Sequence, residues 1–150
     1  MWNEFIDSQE LRSGITEKTV NLAERFGKHL VEGDGKFIDP LTTTQLRRFF
    51  GEVKRQQLKG YTPTSFVMLK PKLAYAVGRA KQKAKKDVRE VKIEDFYNVI
   101  SKAIDDVVNS PENEKDIVFK NFITAFEAIV AYHKVAEENK NEENKNKKFK

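Results

Sequence analysis

The residues of this chain with the clearest chemical potential are basic, and they are concentrated in one stretch. Residues 47 to 86 hold twelve Lys or Arg and a single acid, Glu52, whereas the whole chain of 150 residues has a net charge of only +5. The rest of the chain is therefore net acidic. Ammonium and guanidinium groups bind phosphate oxygens, so this asymmetry predicts a polyanionic partner.

The basic stretch has the period of amphipathic helices, which indicates a folded surface rather than a loose tail. Near its start, Leu46, Phe49 and Val53 share one face, and the cations occupy a separate stripe. Acidic partners at i,i+4 spacing are nearly absent, and like charges at that spacing repel. We therefore favour nucleic-acid binding over a merely solvated face. Helical position alone adds Lys54 and Arg55 to the residues expected to contact the nucleic acid.

Tyr75 lies one turn before Arg79 and away from the apolar stripe of its helix. It could stack on a base or sugar beside an arginine contact, or it could pack against a neighbouring helix. Asn and Gln are sparse among the basic positions, so contacts to phosphate should dominate over contacts to base edges. The pattern predicts binding that is mostly independent of base sequence.

Residues that could support catalysis are isolated from one another. His29 and His133 stand alone in separate helices, without carboxylates at the spacing of a metal motif, and the chain has no cysteine. The segment Gly33-Asp34-Gly35-Lys36 lacks the frame of a phosphate-binding loop and is expected to form a turn. Acidic neighbours such as Asp105 and Asp106 are expected to be solvated. We predict neither an enzyme, nor a metal site, nor a cofactor.

Composition and periodicity predict one all-α domain, a compact bundle of about five to six helices over residues 1–136. No segment is long and apolar enough to span a bilayer, and the N-terminus does not resemble a signal peptide, so we expect a cytoplasmic protein without membrane contact. Residues 137–150 are almost entirely Glu, Asn and Lys and are predicted to form a disordered tail.

Capping residues and prolines in the sequence predict where the helices begin and end. Thr42 and Gln45 have the spacing of a capping box, which predicts a helix from there to about Lys59. Pro71 suits the first turn of the next helix, expected from Lys72 to about Lys86. Further helices are expected at 2–11, from Thr16 to about Glu32, at 92–109 and, as the most apolar and central one, at 114–138.

Three motifs in this chain resemble a known family. They are Leu41-Thr42-Thr43-Thr44-Gln45-Leu46-Arg47-Arg48-Phe49-Phe50, then Leu69-Lys70-Pro71-Lys72-Leu73-Ala74-Tyr75-Ala76-Val77-Gly78-Arg79, then Phe119-Lys120-Asn121-Phe122 with Phe126-Glu127-Ala128-Ile129-Val130-Ala131-Tyr132-His133. In this order they look like the small subunit of the type III-A CRISPR effector, the Csm complex. The resemblance covers about residues 40–135.

The resemblance implies a non-catalytic helical subunit that stands in several copies beside the backbone subunits and bounds the channel of the guide and target RNA. Its partners would be that RNA, the backbone and large subunits, and other copies of itself, so that the isolated chain could form a dimer. In such complexes the backbone subunit cleaves target RNA, and the large subunit carries the DNase and the cyclic-oligoadenylate synthesis. The RNA-contact residues that it implies by position are Arg47, Arg48, Lys70, Lys72 and Arg79.

Two other classes of protein stay open at this point, and an enzyme comes third: activity lost with Asp105 or Glu127 but retained in variants of the basic face would indicate it. A helical DNA-binding module would need a recognition helix and selective binding of a site. A protein scaffold would instead dock its basic surface on an acidic partner and would ignore RNA at low salt.

Overall fold

The computed structural model describes residues 6–148, with side chains described to residue 146. This part of the chain is an all-α bundle, as predicted, with one pair of two-residue parallel strands. A single 3-10 turn, Glu112–Glu114, precedes the last helix. The elements are α1 (Ser8–Ser13), α2 (Glu17–Val31), β1 (Ile38–Asp39), α3 (Thr43–Lys59), α4 (Pro63–Val67), α5 (Leu69–Lys83), β2 (Glu90–Val91), α6 (Lys92–Val108) and α7 (Lys115–Lys148).

Helix α7 is the central element of the core, as its apolar content predicts. The ring of Phe126 packs against Phe49 of α3, Phe96 of α6 and Phe122 of its own helix, with ring centroids 5.7, 5.6 and 6.0 Å away. All four side chains are buried. Aromatic pairs at these separations contribute beyond the area that they remove from water. This cluster therefore fixes α3 and α6 on α7.

Helix α2 lies along α7 at a close approach that depends on Gly27. A Cβ at this position would lie 2.7 Å from the main-chain carbon of Tyr132 and 2.8 Å from the main-chain nitrogen of His133. Real Cβ atoms do not come this near to other heavy atoms, so a side chain here would push the helices apart. The absence of a Cβ thus sets the distance between α2 and α7.

The start of α3 is determined by the predicted capping box. The side chain of Thr42 accepts a hydrogen bond from the Gln45 backbone N–H at 3.1 Å, and the Thr42 backbone N–H donates to Gln45 Oε1 at 2.9 Å. Just before it, the Leu41 carbonyl lies 2.7 Å from Nε2 of the buried His133. These bonds fix where α3 begins and hence which way its cations point.

Helix α5 begins at Leu69, three residues earlier than predicted, and ends at Lys83 rather than Lys86. Pro71 is its third residue, where a missing N–H costs no hydrogen bond because the first four donors of a helix have no partner in it. The apolar periodicity of the last helix predicts Ile117 in its core face, but this side chain is 46% exposed. It lies in the first turn of α7, at the edge of the bundle.

The N-terminal helices agree with prediction in number and differ in detail. Helix α1 spans Ser8–Ser13 rather than the predicted 2–11, and residues 2–5 of that prediction lie outside the described residues. In α2 the buried positions include Thr19, whose hydroxyl donates to the buried carboxylate of Glu10. Thr19 and Glu10 are thus a buried, hydrogen-bonded polar pair, whereas the hydrophobic pattern alone predicts apolar side chains at buried positions.

The acidic turn between α2 and β1 is built around Asp34. Its Oδ1 accepts from the backbone N–H groups of Lys36, Phe37 and Ile38 at 2.8, 2.8 and 3.2 Å. These three bonds favour the charged carboxylate and lower the pKa of Asp34 to about 2. The segment is a turn, as expected. It leads directly into β1, which pairs in parallel with β2 so that Ile38 is the partner of Glu90.

The C-terminal segment differs from expectation. Helix α7 continues to Lys148, whereas the polar composition predicts disorder from residue 137. Lys140 accounts for the first added turn, because its Nζ donates to the carbonyls of Val31 and Gly33 at 2.7 and 2.9 Å. Residues 141–146 are exposed, and residues 149 and 150 lie outside the described part. The domain boundary at 136 stays a prediction. None of the helices in the described part of the chain is both long and apolar enough to cross a membrane.

Candidate nucleic-acid interface

Helix α3 presents two adjacent arginines to solvent. Arg47 and Arg48 are exposed, while Leu46 and Phe49 on either side of them are buried. Among the described residues neither arginine has an ion pair. Neighbouring positions on a helix point about 100° apart, so the two guanidinium groups cover a broad arc of the surface. Together with Arg79, they are the predicted cations that no carboxylate of the described residues neutralises.

Helix α5 adds an aromatic ring and a second guanidinium group. Tyr75 is 68% exposed, which excludes the alternative that it packs against a neighbouring helix. The Arg79 guanidinium carbon lies 5.9 Å from the centroid of the Tyr75 ring, one turn along the helix. This is the geometry of a cation–π contact, and it leaves much of the ring free to meet a flat partner.

A groove separates α3 from α5 and opens between the two basic faces. It has a volume of about 250 Å³. Arg48 and Glu52 line it on the α3 side, Lys72 and Ala76 on the α5 side. The remaining lining residues are Leu41, Gln45, Phe49, Leu73, Ile93 and Phe96.

Four of the predicted contacts are paired with carboxylates inside the protein. Lys54 Nζ lies 3.2 Å from Glu127 Oε1 on α7, and Lys70 Nζ lies 2.7 Å from Asp105 Oδ1 on α6. The expectation that the basic face lacks acidic partners is therefore wrong: Lys54 and Lys70 find theirs on other helices, and Arg55 finds Glu52 within α3 itself. Exposed ion pairs of this kind contribute only about 0–1 kcal/mol, so a phosphate can compete for these cations.

Glu52 is the acid shared between the two basic helices. Its carboxylate oxygens lie 2.6 Å from Arg55 Nη1 and 3.7 Å from Lys72 Nζ. Lys70, two residues from Lys72, points about 200° away and contacts α6 instead. The structure thus gathers Arg55 and Lys72 around Glu52, and it places Lys70 on another side of α5.

One group of side chains in the described part of the chain could hold a metal ion. Donor atoms of His29, Glu90 and Asp95, from three different elements, lie within 4.8 Å of one another. The protein also satisfies these groups internally, since His29 Nε2 lies 2.6 Å from Asp95 Oδ2 and Lys92 Nζ lies 3.2 Å from Glu90 Oε1. Spacing could not reveal this group, because His29 is over sixty residues away from the other two.

The acids considered as catalytic alternatives are all ion-paired. Asp105 pairs with Lys70, and Asp106 Oδ2 lies 3.0 Å from Lys102 Nζ one turn away in α6. Glu127 lies on α7 and pairs with Lys54. These contacts give each carboxylate a structural partner. Sequence reasoning missed the groove and the position of the capping residue Gln45 at its edge, since no local pattern marks a gap between two helices.

Comparison with known proteins gives one match. A family model described as Csm2 Type III-A matches residues 15–139. The match extends beyond the three sequence motifs and includes α2. A search of curated proteins and a search of solved structures gave no match.

Proposed function

Because the chain belongs to the Csm2 Type III-A family and is thus a subunit of the type III-A CRISPR complex, we propose that it is a non-catalytic subunit that lines the channel of the guide and target RNA. It binds the RNA backbone through ionic contacts that do not depend on base sequence. Its partners are the RNA, the backbone and large subunits and other copies of itself, and it acts in the cytoplasm.

The observation that carries this proposal is the exposed pair Arg47 and Arg48, without ion pairs to described residues, on a helix whose other face is locked into the core. Guanidinium groups are always charged and match the geometry of phosphate oxygens. Fixed cations without internal partners gain most from a polyanion. Tyr75 and Arg79 on α5 supply a stacking surface and a further cation beside them.

The ion-paired residues form a second tier of contacts in this proposal. Each of these four cations must give up an internal carboxylate before it binds a phosphate, so it contributes less to RNA affinity than Arg47 or Arg48. The four are Lys54, Arg55, Lys70 and Lys72. Lys70 points toward α6, so we expect its contribution to be the smallest of the four.

The test is binding of two unrelated RNA oligonucleotides by fluorescence anisotropy over a series of salt concentrations. The variant is Arg47→Ala/Arg48→Ala/Lys72→Ala/Arg79→Ala, with all four side chains exposed. Its matched control removes the same charge from exposed cations elsewhere. The control substitutions are Lys18→Ala, Arg25→Ala, Lys28→Ala and Lys134→Ala.

We expect wild type to bind both RNAs alike with a steep salt dependence, the variant to show a weaker affinity and a shallower slope, and the control to stay near wild type. If the variant and the control lost RNA affinity equally, the loss would reflect the net charge of the protein and not contacts at this face. Binding to one sequence alone, or to duplex DNA in preference, would favour the DNA-binding alternative. No binding of wild type at low salt would favour the scaffold that docks on an acidic protein.

A further inference from the structure

The groove between α3 and α5 has walls of one chemistry and a floor of another. Its floor is apolar, with Phe49, Leu73 and Phe96 all buried in the core on their other sides. Its rim carries a cation on each wall, Arg48 from α3 and Lys72 from α5. A ligand that matches the groove therefore combines a negative charge with an apolar body.

The size of the groove limits that body to a small group. Its volume of about 250 Å³ lies below the roughly 300–1,000 Å³ of pockets that enclose drug-sized ligands. A single flat ring system fits this space, and a folded stretch of chain does not. Ala76 helps to leave the space open, because its methyl group is the smallest side chain that α5 contributes to the groove.

Polar groups at the rim add directionality. Gln45 uses its Oε1 to accept from the Thr42 backbone N–H, which leaves its amide nitrogen as a donor at the edge of the groove. The carboxylate of Glu52 supplies acceptors on the same side. A nucleobase has both donors and acceptors on its edge and an apolar face, and the phosphate next to it carries the negative charge.

We propose that the groove between α3 and α5 takes one unstacked nucleobase of an RNA whose phosphates contact Arg48 and Lys72. This inference rests on the proposed function, in which backbone contacts give the affinity and Tyr75 offers an exposed stacking surface, and it adds a base-accepting subsite in the groove. The site accepts any base that fits, because stacking and van der Waals contact dominate over edge recognition.

The test compares a single-stranded RNA with an abasic RNA of the same length and the same phosphates. Ala76→Leu fills the groove without changing charge, and Ala74→Leu, exposed on the same helix, is the matched control. A 2-aminopurine in the RNA reports directly on whether a base leaves water. Circular dichroism and a melting curve confirm that each variant is folded.

We expect wild type and Ala74→Leu to bind the normal RNA at least about 5-fold more tightly than the abasic RNA, as for loss of one stacked base. Ala76→Leu should lose most of this preference for the normal RNA, keeping at most the part that stacking on Tyr75 gives, and its 2-aminopurine signal should fall with it. Equal affinity of wild type for the two RNAs, with salt-dependent binding intact, would overturn the base site but not the proposed function. Absence of binding to either RNA would overturn both.

Discussion

Replacing Gly27 by alanine should destabilise the bundle, although alanine is the better helix former. In an exposed helix this change adds about 1 kcal/mol of stability. At Gly27, however, the added methyl would lie 2.7 Å from the Tyr132 main-chain carbon and 2.8 Å from the His133 main-chain nitrogen. Backbone atoms of α7 cannot rotate away as a side chain can, so the helices must separate.

Overpacking of a well-packed core costs about 1–3 kcal/mol, and a clash with backbone belongs at the upper end of that range. After subtraction of the helix-propensity gain, we expect Gly27→Ala to lower the free energy of unfolding by about 1–2 kcal/mol. Gly51 in α3 and Gly78 in α5 are the matched controls, since a Cβ at either position meets nothing within 4 Å. Their alanine variants should gain up to about 1 kcal/mol.

The assay is thermal and urea unfolding of the three variants beside wild type. A difference of about 2–3 kcal/mol between Gly27→Ala and Gly51→Ala corresponds to roughly 5–10 °C in melting temperature for a chain of this size. A Gly27→Ala protein as stable as the Gly51→Ala protein would refute the close approach of α2 to α7 described above.

Two further predictions concern polar groups that the fold uses internally. Lys115→Met should lower the free energy of unfolding by about 1–3 kcal/mol, measured by urea unfolding. The reason is that the buried ammonium donates to the carbonyls of Val108 and Ser110 at 2.7 and 2.6 Å and caps the end of α6. The control Lys120→Met, on the exposed side of α7, should show no such loss. Asp34 has its pKa lowered from 3.8 to about 2 in the folded chain, so its contribution to stability is present above about pH 4 and is lost as the pH falls toward 2. Melting curves of Asp34→Ala and wild type should differ at pH 6 and converge near pH 2, and a constant difference would contradict the role assigned to its backbone hydrogen bonds.

Local signals in the sequence predict the helices well where chemistry and position coincide. Thr42 and Gln45 specify the first turn of α3 through bonds only three residues apart, and the structure confirms both. The spacing of Phe119, Phe122 and Phe126 along the chain likewise predicts the buried face of α7, because residues three or four positions apart lie on one side of a helix. Errors appear at helix ends. At Ile117 the apolar periodicity continues, but no neighbouring helix in the described part of the chain covers the side chain fully.

The pairing of charges could not be predicted, because it depends on how helices that are distant in sequence cross. Glu127 reaches Lys54 across 73 positions, and Asp105 reaches Lys70 across 35. No window of sequence contains both members of either pair. The groove between α3 and α5 escapes prediction for the same reason, since it is a property of the distance between two helices.

In the proposed complex with RNA, the internal ion pairs change how many small ions leave the protein and the RNA when the two associate. Salt dependence counts the counterions that phosphates release, about 0.7 for each phosphate neutralised on a single strand. A cation such as Lys72, already opposite Glu52 at 3.7 Å, gives its carboxylate back to solvent when it binds phosphate, and that carboxylate recruits a cation of its own. The net number of ions released is then smaller than the number of basic residues in contact. In this proposal Glu52 competes with phosphate for Arg55 and Lys72. The ionic strength at which RNA dissociates is then set by internal carboxylates such as Glu52 as well as by the cations that contact the RNA.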